Sequence, residues 1–316
     1  MPVGAQGASF KLYTKQEVTE GTAPSGNYDQ VPCFAFGLTP TQEMTQDAVL
    51  SSGTTRSNAD PFYGLVQVQG EARIPLDTVH TGRWLKMLMG SPTTTNVSTD
   101  YTHIFKDGSS ALPSNAFEKA YPDITRYEMA VGVRAGSMAV QMAPDGAAEA
   151  TIGLMGLAET NGSSTGAGTP VVTAYERFHR VNGAVARGGS PLAAVTGGDF
   201  TITNDMEMVA AIRNDFRMEG IDFGQSGASG NLTLRFLSHT LRTDALARTP
   251  ADLRYTLTIS ATKEIEFRFP RCFLAVNGAA VEGPRGISQS FRFAAAFDTS
   301  QACAVQVTLK NQTASY

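Results

Sequence analysis

Histidine is the side chain best suited to acid–base or metal chemistry near neutral pH. This chain has four histidines, and their spacing is not that of a metal-ligand set. No cysteine or carboxylate stands beside them at the offsets typical of a metal ligand set. His80 and His239 each precede a stretch with helical character, so one interpretation is a pair of equivalent sites. A polar residue at each helix start is the simpler one. The four histidines are His80, His103, His179 and His239.

The three cysteines also lack the pattern of a reactive or metal-binding set. Cys33, Cys272 and Cys303 are odd in number, widely separated and flanked by apolar or small residues. This usage predicts buried thiols in a reducing compartment, and neither a disulfide framework nor a metal centre.

The remaining motifs that could bind a ligand lack the context that each one needs. Asp107 and Asp145 each precede a glycine and are turn signals, because the Asp-x-Asp-x-Asp-Gly spacing of a calcium loop is absent. The glycine pairs at 188–189 and 197–198 are not followed by a helix that could cradle a phosphate, and no Walker-type Gly-Lys-Ser/Thr occurs. We therefore expect no enzymatic activity, no cofactor and no metal.

Composition favours a protein that hides its surface in an assembly. Charged residues are 17% of the chain, below the typical value of about 25%. The net charge of −4 gives no electrostatic case for wrapping nucleic acid, and no apolar run is long enough to span a membrane. Residues 1–7 lack the basic and apolar regions of a signal peptide, which predicts synthesis and use in a cytoplasm. A secreted β-protein with a neutral polar surface is the alternative.

Three stretches of the first half return in the second half in the same order, at shifts of 164, 160 and 140 residues. They predict one β-rich module written twice. Glu43 and Glu207 belong to the first pair of stretches, one in each copy, which favours a shared structural role over a catalytic pair. The pairs are residues 36–44 with 200–208, Gly70 with Gly230, and the Pro-x-Gly turn at 144–146 with that at 284–286.

The fold class that follows is all-β with short helices, as two tandem β-sandwich or barrel modules. Each module is expected to carry one flanking helix and one long loop. We assign residues 1–160 to the first module, 161–170 to a flexible linker rich in Gly, Ser and Thr, and 171–316 to the second module.

The helix of the first module is expected to start after Asp77 or Thr78 and to end near Met89. Trp84 on its apolar face is interpreted as core, although its basic neighbours could present it to a partner subunit. The second helix is expected at 240–247. Further expectations are strands at 31–38, 63–76, 127–133 and 199–213, a hairpin around 144–146, and long loops at 45–61 and 214–228.

Seven stretches carry a family resemblance in their order and spacing, namely residues 17–24, 70–76, 82–95, 101–105, 212–220, 282–287 and 313–316. Taken together, they resemble the phage tail tube (major tail) proteins of long, non-contractile-tailed phages. The resemblance runs nearly from end to end. It implies a tube-forming β-sandwich with a flanking helix, assembled into stacked rings around a channel that conducts the genome from capsid to host. It carries over no catalytic residue.

In such a tube the main partner is the chain itself. Two modules per chain predict trimeric, pseudo-sixfold rings, and the alternative is a six-chain ring in which only one copy lines the channel. The resemblance also implies contacts with tail tip, tape measure and tail terminator proteins, and a place in the virion tail after assembly in the host cytoplasm. DNA would pass without specific binding. Rival interpretations are a tail terminator, a capsid decoration protein or a tandem adhesion protein.

Two sets of residues are expected to serve the tube. The long loops are predicted to reach the next ring, and the channel wall is predicted to be neutral to acidic so that phosphates do not stick. The candidate contacts between rings are Thr45, Ser51, Thr54, Arg56, Asp60, Asn214, Phe216, Arg217 and Glu219. The candidate wall residues are Glu71, Asp205 and Glu207.

Overall fold

A computed structural model of the chain describes residues 4–47, 60–281 and 283–316. These residues form 21 strands and two α-helices, with 3-10 turns at Pro122–Ile124 and Arg180–Asn182, so the expected all-β fold with short helices is confirmed. The helices are α1 (His80–Met89) and α2 (Thr240–Ala247). The strands are β1 (Lys11–Gln16), β2 (Asp29–Val31), β3 (Ala35–Phe36), β4 (Thr39–Thr45), β5 (Phe62–Pro75), β6 (Thr93–Val97), β7 (Asp100–Lys106), β8 (Asn115–Tyr121), β9 (Arg126–Met142), β10 (Glu149–Gly156), β11 (Ala158–Gly162), β12 (Gly183–Arg187), β13 (Ser190–Pro191), β14 (Val195–Thr203), β15 (Glu207–Val209), β16 (Gly220–Asp222), β17 (Gly227–Arg235), β18 (Ala251–Ser260), β19 (Lys263–Leu274), β20 (Ser288–Ala295) and β21 (Gln306–Asn311).

One antiparallel sheet runs through both halves of the chain, and we call it the main sheet. Its strand order is β4–β5–β10–β9–β14–β17–β20–β19, and β3 pairs with β5 beside β4. The two halves meet edge to edge where β9 pairs with β14, with Ala139 opposite Thr201. A four-strand set from each half therefore forms one continuous surface.

A second layer of strands covers the inner face of the main sheet. It contains β1–β8–β9–β11 from the first half and β12–β18–β19–β21 from the second, and β21 pairs onward with β7. The long strands β9 and β19 serve both layers. In β9 the change of layer falls near Gly132, whose positive φ of 66° allows the strand to bend. The apolar core lies between the layers.

The same order of pairings occurs in each half. The first half has β1–β8–β9–β11 and β9–β10–β5–β4, and the second has β12–β18–β19–β21 and β19–β20–β17–β14. Each half also places its α-helix directly after the third of the seven strands in this scheme, α1 after β5 and α2 after β17.

Helix α1 forms where the sequence predicts it. The Asp77 carboxylate accepts hydrogen bonds from the backbone N–H groups of Val79 and His80, which leaves fewer donors without a partner at the helix start. The helix ends at Gly90, whose φ is 87°. Trp84 is buried and stacks on Phe117 with ring centroids 5.4 Å apart, so the interpretation of Trp84 as core is confirmed. Helix α2 covers 240–247 as expected and buries only Leu241 and Ala245.

Three expected elements differ from the structure. The strand expected at 199–213 stops at Thr203, because Asn204 turns inward to donate to the carbonyl of Leu88 and Asp205 takes a positive φ of 45°. The strand expected at 31–38 is divided into β2 and β3, with Pro32, which has no N–H to donate, between them. The loop expected at 214–228 contains β16 and the start of β17.

The expected linker is held against the first half at several points. Thr165 and Gly166 both donate to the Glu118 carboxylate, and the carbonyl of Ala167 accepts from the N–H of Tyr28. Strand pairs β9·β14 and β7·β21 also connect the halves on either side of it. The division into 1–160, 161–170 and 171–316 stays a prediction about the modules.

Candidate assembly surfaces

The outer face of the main sheet, which we call the open face, carries small and uncharged side chains over most of its area. Strict alternation places them there: in β5, Val68 and Ala72 are buried, whereas Gln67 and Gln69 are exposed. Charged side chains on this face have both signs and include Glu71, Arg73, Glu149, Asp199, Arg235, Arg271 and Arg292. The uncharged members include Ser137, Ala139, Thr151, Gly153, Thr201, Ser229, Thr233 and Ser290.

The three candidate wall residues do not share one position. Glu71 lies on the open face, and Asp205 lines the same shallow depression, which lies over the middle of β5, β9 and β10 at the end of β14. Glu207 lies in β15, which pairs with β16 outside the main sheet. The structure thus brings Glu71 and Asp205 to one depression and leaves Glu207 apart. A role in lining a channel stays a prediction for all three.

The β15–β16 hairpin folds back onto one end of the open face. Its Met218 and Ile221 form an apolar cluster with Leu157, against which Leu65 and Met155 of the first half pack. The hairpin is also tied by its backbone, because the carbonyl of Phe216 accepts from the N–H of Val66 at 2.8 Å. The second half therefore covers part of the first half's sheet.

The candidate ring contacts of the second loop lie on this hairpin or at its tip. Asn214 is exposed, and the Phe216 side chain is 56% exposed although its backbone is bound. Arg217 packs over Gly21, and Glu219 forms an ion pair with Arg213. Their contacts within the chain were missed by the sequence analysis, and their contacts between rings stay a prediction.

The first loop leaves an extended hairpin of β4 and β5 without such a cover among the described residues. Thr45 ends β4 opposite Phe62, and Asp60 is exposed. Met44 and Tyr63 are also exposed, by 61% and 57%. Ser51, Thr54 and Arg56 lie outside the described residues, and the role of this loop stays a prediction.

Two backbone segments at opposite ends of the main sheet have one side without a strand in the described chain. The first is the outer edge of β3 and β4, whose inner edge is fixed by the N–H of Gly37 donating to the carbonyl of Glu71 at 2.8 Å. The second is the segment 275–281, which continues from β19 along β20. There the N–H of Ala275 donates to the carbonyl of Arg292, and the Asn277 side chain donates to that of Ser290. These edges were not found from the sequence, because they depend on pairing order.

Buried titratable groups serve the fold around α1. Burial raises the pKa of Asp77 to about 6, against the hydrogen bonds that its carboxylate accepts from Val79, His80 and Thr81 and the charge of Arg177. Burial and the nearby Arg83 charge lower the pKa of His80 to about 4, so the imidazole is neutral near pH 7. His80 and His239 both lie at helix starts, as the simpler interpretation predicts.

His103 is equally structural. Its ring is buried, and its nitrogens contact the Thr94 hydroxyl at 2.8 Å and the Thr313 carbonyl at 2.9 Å. Burial lowers its pKa, although hydrogen bonds to Thr313 and Asn311 act in the opposite direction. Within residues 4–47, 60–281 and 283–316, no group of three or more His, Cys, Asp or Glu side chains is placed to hold a metal ion.

The cysteines are free thiols, and Cys272 and Cys303 are buried as predicted, whereas Cys33 is partly exposed. The stretch Gly-Ser-Ser-Thr-Gly at 162–166 has the spacing of a hydrolase nucleophile elbow. It follows β11, however, with no helix after it, and Thr165 and Gly166 are occupied by Glu118. No helix in the described part of the chain is both long and apolar enough to cross a membrane.

Comparison with known proteins identifies the kind of protein that carries these surfaces. A family model described as phage tail tube protein matches residues 7–295, which include both halves and both edges of the main sheet. A search of curated proteins finds no match. Because the family model covers most of the 316 residues, the chain belongs to the phage tail tube protein family and is a structural protein of the phage tail.

Proposed function

We propose that this protein polymerises into stacked rings that form the tube of a long, non-contractile tail, and that DNA passes through the channel from capsid to host. The observation that carries the proposal is the main sheet. Two four-strand sets are already joined edge to edge within one chain through β9·β14, and a further edge is open at β3 and β4. Pairing of such edges between chains would close a barrel and remove them from solvent.

We further infer that the chain arose as an internal duplication. Gly70 pairs with Leu154, and Gly230 pairs with Phe293, in the corresponding strand pairs of the two halves. An added Cβ would lie 2.8 Å from the Cα of Leu38 at Gly70 and 2.9 Å from the Cα of Phe200 at Gly230. The close approach recurs at the same point of each sheet. This contact aligns Phe200 with Leu38, whereas the shift of 164 residues in the sequence aligns Phe200 with Phe36, two residues earlier.

The continuous sheet favours trimeric, pseudo-sixfold rings. Three chains with eight strands each would give about 24 strands, and at a spacing of about 4.8 Å these make a barrel at least roughly 37 Å across, wider when the strands tilt. In the alternative six-chain ring, only one copy lines the channel. That arrangement leaves no role for β9·β14, which joins the two copies in one wall.

The open face suits the channel side of this barrel. Its alternating positions in the centre of the sheet are small and uncharged, as at Ala139, Thr151, Thr201 and Ser229. The centre of this wall offers few cations for phosphates to bind, and the arginines of the open face share it with the carboxylates of Glu71, Glu149 and Asp199, so DNA would slide without specific binding. The helices lie on the other side of the sheet, where α1 contacts β9 and α2 contacts β19.

This proposal places the protein in the virion tail after assembly in the host cytoplasm, in contact with tail tip, tape measure and tail terminator proteins. A tail terminator or capsid decoration protein remains the second candidate class. Repeated stacking distinguishes them, because a terminator or a decoration protein forms small closed rings or none.

The test is negative-stain imaging of the purified protein at rising concentration, with particle size measured in parallel. Uniform hollow tubes with threefold rings in end views are expected. Sixfold rings of complete chains would retain the tube and remove the trimer. Monomers or single closed rings that never stack, even after addition of the tail tip proteins, would remove the tube itself.

A further inference from the structure

We propose that residues 275–280 of one chain form a strand that pairs antiparallel with the outer edge of β3 and β4 in the next copy of the same chain, with Asn277 opposite Thr39. The proposal rests on the proposed function, since it requires neighbouring copies within a ring. It specifies which backbone segments form the joint between subunits and in which register.

The joint within the chain provides the template. Strand β9 pairs with β14 from Ser137 opposite Thr203 to Met142 opposite Gly198. By the repeated pairing order, the counterpart of β14 is β3–β4, and the counterpart of β9 is β19 together with its continuation. In the described chain these two counterparts do not pair with each other. Each therefore lacks the partner that its equivalent has.

The neighbouring strands show which residues of the two halves correspond, and this fixes the register when the β9·β14 pairing is applied to the joint between chains. Phe200 corresponds to Leu38, because the two lie against Gly230 and Gly70, so Thr201 corresponds to Thr39. Leu154 corresponds to Phe293, and three residues earlier Thr151 corresponds to Ser290.

The other side of the joint follows from the same strands. Ala139 lies opposite Thr151, and Asn277 reaches Ser290 through its side chain, so Ala139 corresponds to Asn277. Since Ala139 pairs with Thr201, the transferred register places Asn277 opposite Thr39.

The direction of the backbone groups agrees with this register. Gly37 directs its N–H to β5, so the neighbouring residues Phe36 and Leu38 direct theirs to the open edge. Ala275 directs its N–H to β20, so the N–H of Val276 is directed outward, whereas the N–H of Gly278 donates to Asn277 Oδ1 at 2.9 Å in the single chain. The proposed register places outward-directed residues opposite one another, as Phe36 with Ala280. A slip by one residue would place them opposite inward-directed residues. At the pair of Leu38 with Gly278, the joint would compete with contacts of the single chain, because the Leu38 carbonyl accepts from Lys119 Nζ and the Gly278 N–H donates to Asn277 Oδ1. Pro40, opposite Val276, removes one N–H, as is tolerated on an edge.

Side-chain sizes are complementary at the proposed joint. Within the chain the large Met142 lies against Gly198, where an added Cβ would be 2.8 Å from the Met142 Cε. Between chains the sizes are exchanged, because Ala280 would lie against Phe36. The segments 35–41 and 275–281 contain no charged residue, so nothing repels their approach. Val276 and Val281 are 56% and 71% exposed in the single chain.

A groove beside the open edge supplies an independent observation. It lies between the start of β1 and residues 30–36, and Phe10, Leu12 and Val31 form part of its lining. The corresponding site of the second half lies between β12 and the segment before β14, and there Met142, Ala143 and Pro144 of the first half line the walls. The end of the segment 275–281 from the next chain would occupy the same place in the groove of the first half.

Disulfide trapping tests the register. Thr39 and Asn277 would form a non-hydrogen-bonded pair, whose Cα atoms lie about 4.5 Å apart, within the range of a disulfide. Thr39→Cys and Asn277→Cys in one chain should give covalent ladders that end at three chains after oxidation. The matched control, Thr41→Cys with Asn277→Cys, offers a cysteine on the same face one pair further along, and at least tenfold less cross-linking is expected. Mixing the two single variants should give only dimers, while each single variant alone reports any reaction with Cys33.

A second variant keeps the proposal testable if the cysteine substitutions themselves prevent assembly. Val276→Lys changes a side chain that is exposed in the single chain, so the melting temperature of the monomer should stay unchanged while tubes are lost. If the wild type forms tubes, any one of three results would overturn this joint and leave the tube intact. These are no cross-link in the variant with Thr39→Cys and Asn277→Cys, equal cross-linking in the control, or normal tubes from Val276→Lys. Wild-type protein that never assembles would remove both the proposed function and this inference.

Discussion

The backbone of Gly70 lies directly against that of Gly37, so that a side chain on Gly70 would overlap the Gly37 carbonyl oxygen. Gly230 stands in the same relation to Asp199 in the second half. Glycine is therefore required by space at these positions, since neither has a positive φ.

Substitution of these glycines should destabilise each half. Gly70→Ala and Gly230→Ala are each expected to lower the free energy of unfolding by about 1–3 kcal/mol, because backbone must move to accept the methyl group. Gly227→Ala in β17 is the control, since an added Cβ there meets no atom within 4 Å, and its stability should be unchanged or slightly higher. Urea unfolding of the unassembled protein measures all three. Equal stability of the three variants would contradict the argument.

How far the sequence predicts this molecule depends on whether a feature is local. The hairpin at 144–146 and both helices follow from local signals, a glycine turn and apolar residues at helical spacing, and they are confirmed. The strand β8 was missed because it is buried on both faces around Glu118 and Lys119, so its polar residues do not alternate with apolar ones.

The candidate surfaces depend on distant pairing, which sequence patterns do not contain. The direction in which Glu71 and Glu207 face does not follow from the sequence alone: Glu71 lies on the open face, whereas Glu207 lies in β15 beyond the turn at Asn204 and Asp205. The turn arises because Asn204 finds the carbonyl of Leu88, more than a hundred residues away in sequence. Contacts of this kind explain why the open edges became visible only in the folded chain.

The buried ammonium of Lys119 is expected to be important for stability. It contacts Glu128 at 2.7 Å, Glu159 at 2.9 Å and the carbonyl of Leu38 at 3.0 Å. Burial acts to lower the pKa of Lys119, but the hydrogen bonds and charges of Glu128 and Glu159 outweigh it and the pKa is raised. Its stabilisation is therefore complete below the ordinary lysine pKa and is lost only as the pH rises through the raised value.

Lys119→Met should lower the free energy of unfolding by about 3–5 kcal/mol at pH 7, because the buried Glu159 loses its cationic partner. Adding Glu159→Gln to Lys119→Met should recover part of the loss, since no carboxylate then remains deeply buried. Denaturant unfolding of the single and double variants forms the test. A loss below about 1 kcal/mol for the single variant would show that the cluster contributes little.

Asp77 and His80 are expected to have opposite effects on stability in the same pH range. The pKa of Asp77 is raised to about 6, so its contribution is present below its ordinary value and is lost as the pH rises to about 6. The pKa of His80 is lowered to about 4, so its contribution is present above its ordinary value and is lost as the pH falls to about 4. Each amounts to about 3 kcal/mol at about 1.4 kcal/mol per unit, and between pH 4 and 6 the two nearly cancel.

His80→Gln should uncover the effect of Asp77. Relative to the wild type, this variant is expected to lose about 3 kcal/mol of stability as the pH rises from 4 to 6.5, because only the wild type gains stability from deprotonation of His80. Urea unfolding at several pH values measures the difference, and His239→Gln at the start of α2 serves as the control. A difference between wild type and His80→Gln that stays constant with pH would be evidence against the coupled pair.

A basic open face should convert the proposed channel from a passage into a binding site. Ala139 and Thr201 lie opposite each other at the joint of β9 and β14, in the uncharged centre of the face. Tubes with Ala139→Lys and Thr201→Lys are expected to retain a labelled DNA duplex that wild-type tubes release. The retention should weaken on the order of 10³-fold between 50 and 200 mM salt, because several phosphates are contacted at once. Ala247→Lys at the exposed end of α2 adds charge on the opposite side of the sheet, and sedimentation of tubes with the duplex compares the variants. Nuclease treatment before sedimentation removes duplex bound outside the tube, so equal protected retention by Ala247→Lys would place the open face elsewhere than on the channel side.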